Sequence, residues 1–87
     1  MKDTKIICTQ EEQQLDFNTN KYMTIDKAIK TIDEERYNNM TSKEAINFFK
    51  GLGGTEKATY KNGRVTKLVS TSPSGELRTI RTFEFSE

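Results

Sequence analysis

The residues that could carry chemistry are a cysteine near the start, a knot of carboxylates, a glycine cluster and a series of cations toward the C-terminal end. Cys8 is the single thiol, and the chain has no histidine. Without imidazole, Ser-His-Asp and Cys-His nucleophilic arrangements are excluded, as is the side chain most often used to move protons near pH 7. One cysteine also excludes an internal disulfide and a thiolate–histidine zinc site. Because it follows Ile6 and Ile7, Cys8 is expected as a small buried apolar side chain rather than a reactive thiol.

Asp33-Glu34-Glu35 and Asp26 are the densest carboxylates. Consecutive helical positions point away from one another, so these groups do not converge on a cation or form an acid–base pair. They read as a solvated helix face. Gly51, Gly53 and Gly54 lack the spacing and the Lys-Ser/Thr of a phosphate loop, and are expected to stop a helix and make a turn. No metal, no cofactor and no catalytic residue is expected.

The cations are placed by the elements around them. Residues 24–38 predict a helix: Thr24 caps it, and Ile25, Ala28, Ile29, Ile32 and Arg36 follow helical spacing. A second helix is predicted over about 42–50. Thr41-Ser42-Lys43-Glu44 forms its capping box, Ala45, Ile46, Phe48 and Phe49 its apolar surface, and Gly51 its left-handed stop, with Leu52 folding back on Ile46. Residues 1–21 read as a weakly structured segment with a short strand near Ile6.

From Thr55 the pattern turns to threonine, cations and alternation. Asn62-Gly63 predicts a type I′ hairpin, and Ser72-Pro73-Ser74-Gly75 a type I turn leading into a strand from Leu77 to Phe85. The expected fold is α+β in the order ααβββ: an N-terminal helical hairpin packed on a C-terminal three-stranded antiparallel sheet, forming one domain over residues 22–87.

A two-residue loop at Asn62-Gly63 and a three-residue loop at Pro73–Gly75 set the register of that sheet. Ala58, Tyr60, Val65, Val69, Leu77, Phe83 and Phe85 then face the helices. The opposite face presents Leu68 paired with Ile80, ringed by Lys57, Lys61, Arg64 and Arg78. An apolar centre with a charged rim has the anatomy of a protein interface. These six residues are the expected partner-binding set. The same register sets Lys67 opposite Arg81, a destabilising pair of like charges. A bulge near Leu68-Val69, a carboxylate from Asp33 or Glu34, or an external anion bound by Lys67 and Arg81 would relieve it.

Composition bounds the rest. Eighty-seven residues are one small domain, and Leu, Ile, Val and Phe make up about a fifth of them, near the roughly 20% at which disorder sets in. The net charge of +1 removes self-repulsion as an obstacle to folding. Residues 54–87 hold 6 basic and 4 acidic side chains, a weak footprint for nucleic acid. The Phe83-x-Phe85 pair lacks the surrounding pattern of an RNA-stacking sheet and is expected in the core. The run Ile6-Ile7-Cys8 is too short for a signal peptide or a membrane span, so a cytoplasmic protein is expected.

The expected function is that of a small non-enzymatic binding protein docking on a protein or protein–nucleic-acid complex and modulating or inhibiting it. Abundant lysine, asparagine and isoleucine hint at an AT-rich genome, such as that of a phage or mobile element whose small proteins inhibit host defence nucleases. That step is analogy. The alternative is a nucleic-acid-binding accessory domain using the basic sheet face, and a homodimer through that face is a further reading.

Overall fold

The computed structural model describes residues 5–51 and 53–86; the side chains of Phe49 and Ser86 lie outside the description. Seven elements follow in order: β1 (Lys5–Asp16), β2 (Lys21–Ile32), α1 (Glu34–Thr41), α2 (Lys43–Gly51), β3 (Thr55–Lys61), β4 (Arg64–Thr71) and β5 (Leu77–Ser86). The strands form one antiparallel sheet in the order β2-β1-β5-β4-β3. The N-terminal hairpin is thus sewn to the C-terminal meander by the β1–β5 ladder. The short helices carry the chain from one sheet edge to the other.

This corrects the expected helical hairpin on a three-stranded sheet. Residues 24–32 are strand, not helix, and residues 5–16, expected to hold at most a short strand, form a twelve-residue strand hydrogen-bonded on both sides. The physical reason is that the apolar residues of β2 fall on both faces, Ala28 and Ile32 toward the helices and Ile29 away from them, so no period of two shows. Gln13 pairs with Thr24 and Glu12 with Asp26, so Ile25 is an extra residue, a bulge in β2. The implied helix stripe is not buried as one: Ile25 and Ile29 are 54% and 67% exposed, and only Ile32 reaches the core.

The helix that does form is capped by Asp33, whose Oδ1 accepts from the Arg36 amide at 2.8 Å. The second helix is capped one residue later than expected. Ser42 Oγ accepts from the Ala45 amide at 3.1 Å, while the Thr41 hydroxyl donates to the Tyr37 carbonyl. Gly51 ends α2 without a left-handed conformation; Gly53 takes it, at φ 92. Phe48, expected on the apolar surface, is 72% exposed. The expected contact of Leu52 with Ile46 and the burial of the Phe49 side chain fall outside the described residues.

Both predicted turns are present, and one is longer than predicted. Asn62 and Gly63 have φ of 53 and 78, the signature of the type I′ hairpin. Gly75 has φ 79 and donates to the Ser72 carbonyl at 2.9 Å. Ser72, however, closes on Leu77, through its amide to the Leu77 carbonyl at 2.8 Å, and not on Glu76. The extra loop residue shifts β5 by one position against β4. Leu68 therefore opposes Arg81 and Val69 opposes Ile80, which exchanges the faces of β5 relative to that part of β4. A second irregularity, between Thr59 and Tyr60, puts Leu68 rather than Lys67 opposite Ala58. Lys67 stands opposite Thr82, so the clash with Arg81 does not arise.

The core follows this register. Ile6, Cys8, Ile32, Val65, Leu68 and Phe83 form a buried cluster with Tyr37 of α1, and Met40 and Ile46 pack against it. Tyr37 sets its ring edge-on to Phe83 and Phe85, at 5.1 and 5.3 Å between centroids, and its hydroxyl donates to the Val65 carbonyl at 2.8 Å. One buried tyrosine thus nails α1 to β4 and β5, through apolar contact and a satisfied polar tip.

Candidate functional site

With the helices on the face of Ile6, Leu68 and Phe83, strand alternation turns the other face outward. Registers align its side chains in rows across the strands. The central row reads Lys27, Glu11, Ile80, Val69 and Lys57 from β2 to β3. On one side lies the row of Ile29, Thr9, Thr82, Lys67 and Thr59; on the other, Thr24, Gln13, Arg78 and Thr71. Ile80 and Val69 are half-buried by their neighbours, whereas Lys27, Lys57 and Lys67 are exposed. The face is an apolar centre with hydroxyls around it and cations at its margins.

One part of it is rigid. Arg78 donates through Nε to Gln13 Oε1 at 2.8 Å, with its Nη2 on the same oxygen. Its guanidinium carbon lies 3.8 Å from the centroid of the Tyr22 ring. The Tyr22 hydroxyl in turn donates to the Gly75 carbonyl at 2.6 Å. Gln13 also donates to the Glu11 carboxylate, which accepts from the Thr24 hydroxyl at 2.6 Å. These two hydrogen bonds hold the Glu11 carboxyl below its usual range, helped by the nearby charges of Lys27 and Arg78. The planar stack and fork fix Arg78 with a charged edge available on an open face.

The predicted partner-binding residues are divided by the fold. Lys57, Arg78 and Ile80 do share the open face. Leu68 does not: at 1% exposure it is a core residue on the opposite face. Lys61 and Arg64 oppose each other beside the Asn62-Gly63 turn. Arg64 belongs to the helix side, where its Nη2 reaches both oxygens of Glu34 at 2.8 and 2.9 Å and its guanidinium covers the Tyr37 and Phe85 rings. The Lys67 and Arg81 pair is also separated, Lys67 on the open face and Arg81 beneath the helices with Nε on Gln10 Oε1 at 3.2 Å. The two do not converge on one anion.

Cys8 is buried beside Phe83, and burial pushes its thiol up despite the charges of Arg81, Lys30 and Arg36. A raised thiol is protonated and unreactive near neutrality. Among the described residues no cluster of carboxylate, thiol or imidazole groups could hold a metal ion, and no helix is long and apolar enough to cross a membrane. Sequence reasoning missed Lys27, Ile29, Val69 and the residues that hold Arg78, namely Glu11, Gln13 and Tyr22. Val69 was placed on the wrong face by the register, and the others sit on strands read as helix or as loose chain. No protein family, curated protein or solved structure matches this chain.

Proposed function

We propose that this chain is a non-enzymatic binding protein that docks through its uncovered sheet face on a macromolecular partner, and thereby modulates or blocks it. The observation that carries this reading is the central row, where Ile80 and Val69 lie between Glu11 and Lys57, with Lys27 beyond Glu11, whose carboxylate is occupied by Gln13 and Thr24, and with Arg78 fixed beside them. Such a patch suits a protein surface offering apolar groups ringed by carboxylates, since interfaces concentrate their energy in a desolvated centre with a polar rim. Phosphates have no use for the apolar centre. Phe83, the aromatic that would stack on a base, is 2% exposed and packed under Tyr37, which favours a protein over a nucleic acid.

Affinity capture from the source cell tests the reading with three variants. Ile80→Glu and Lys57→Glu are expected to lose the partner that the unaltered chain retains, by tenfold or more. Lys43→Glu, at the start of α2, is expected to retain it. Undiminished capture by Ile80→Glu would remove the face from consideration. Binding of random oligonucleotides that falls steeply between low and moderate salt would favour the nucleic-acid alternative.

A further inference from the structure

The helix-covered side holds a different feature. Between the helices and strands β3–β5 lies a cleft of about 230 Å³, walled by Met40, Ala45, Ile46 and Phe48 and floored by Glu56, Ser70 and Arg81. Register builds the floor: Glu56 opposes Ser70 across β3–β4, and Arg81 opposes Leu68, two positions from Ser70 along β4. The Ser70 hydroxyl donates to Glu56 Oε2 at 2.6 Å and so occupies one oxygen of that carboxylate. Arg81 uses Nε on Gln10, and its Nη groups meet no acceptor among the described residues. Glu56 and Arg81 do not pair with each other; the ion pair among those residues is Arg64 with Glu34.

An accessible guanidinium edge and a carboxylate that do not pair with each other stand on one floor below an apolar wall, where a single ligand can meet both. A ligand bearing both charges with an apolar arm does so. We propose that this cleft binds a small zwitterion with an apolar side chain, the chemistry of a free α-amino acid such as leucine or methionine. Its carboxylate meets the Arg81 Nη groups, its ammonium meets Glu56 Oε1, and its side chain lies against Met40, Ile46 and Phe48. The cleft volume is below the roughly 300–1,000 Å³ of drug-sized pockets, as a ligand this small requires. Neither a plain carboxylic acid nor a plain amine satisfies both charges, so the pair selects against each.

Calorimetric titration of the full chain with L-leucine, L-methionine, leucinamide and 4-methylpentanoate decides it. Leucine or methionine is expected to bind with a dissociation constant on the order of 1 mM or tighter. Leucinamide, lacking the carboxylate, and 4-methylpentanoate, lacking the ammonium, are expected to bind at least about tenfold more weakly. Arg81→Gln and Glu56→Gln are each expected to lose about tenfold; if Arg81→Gln does not fold, Glu56→Gln carries the test. Ile80→Glu, on the other face, is expected to bind leucine unchanged, so this outcome is independent of the docking surface. 4-Methylpentanoate binding as tightly as leucine, an unaltered affinity in Glu56→Gln, or no heat from either amino acid at about 10 mM would each overturn the proposal.

Discussion

Leu68 faces Arg81 across the β4–β5 ladder while Ile80 faces Val69 on the other side of the sheet, so two residues expected to form one patch have unlike roles. Leu68 is buried among Val65, Phe83 and Tyr37, with Ala58 packed against that cluster. Leu68→Ala is expected to destabilise the fold by about 2–5 kcal/mol, the range for a buried leucine that leaves a cavity. Ile80→Ala, from a half-buried position, is expected to cost no more than about 1.5 kcal/mol. Urea denaturation compares the two directly; equal losses would mean that Ile80 also lies in the core. At this scale the sequence was legible wherever the chemistry is local. Cys8 is buried as its neighbours implied, and Asn62, Gly63 and Gly75 adopt the positive φ their types favour. The Ser70–Glu56 and Arg78–Gln13 bonds were not legible, because no spacing encodes a contact made across strands whose register is unknown.

At the scale of elements, the two strands that sequence reasoning missed failed for different reasons. β2 carries Thr24, Ile25, Ile29, Thr31 and Ile32, all β-branched and suited to a strand, yet its apolar residues are divided between both faces, which gives their spacing a helical look. β1 runs through Glu11-Glu12-Gln13-Gln14, polar on both faces, and a strand of that kind has no periodicity to detect. Its order comes from neighbours on both sides: β2 on one edge and β5 on the other. The tertiary ladder overrides a weak local preference. At the β4–β5 turn, Glu76 is the residue that lengthens the loop between the paired Ser72 and Leu77. Deleting Glu76 leaves Pro73–Gly75 as a three-residue loop between the same two partners, so the pairing of Leu68 with Arg81 is expected to survive. Slippage to Leu68 opposite Ile80 would turn Phe83 and Phe85 away from Tyr37. Because β5 is central, between β1 and β4, such slippage would abolish cooperative unfolding, and the deletion is expected to retain it. Gly63→Ala, strained at φ 78 but with no atom within 4 Å of its added carbon, is expected to cost only about 1–2 kcal/mol. Loss of a cooperative thermal melt in the Glu76 deletion, with Gly63→Ala still melting cooperatively, would show that the longer loop is needed to hold the register.

At the scale of the whole molecule, the fold is lopsided. Its radius of gyration is 14.1 Å, against about 12 Å for a compact chain of this length, and its long axis extends 52 Å. The buried cluster lies where α1 and α2 cover the sheet. Toward the turn of the β1–β2 hairpin, Phe17, Met23, Ile25 and Leu77 are between 51% and 71% exposed. Little apolar area is removed from water there, and the tip is tied back by the Tyr22 hydroxyl on Gly75 and the Leu15 amide on the Glu76 carbonyl. Cooperative opening should therefore begin at the hairpin tip and along the edge strand β2, while β5 and the β1 residues around Ile6 and Cys8 open only with the whole domain. Native-state hydrogen exchange should show it. Backbone amides of β1 and β5 near Cys8 and Phe83 are expected to exchange at the global unfolding free energy. Those around Tyr22 and Thr24 are expected to exchange several kcal/mol sooner, in keeping with the wide range of local stabilities in small domains. Tyr22→Phe, which removes the hydroxyl from Gly75, is expected to widen that gap while leaving the Cys8 and Phe83 amides unchanged. Uniform exchange from tip to core would mean that the hairpin and the helix-covered end unfold as one unit.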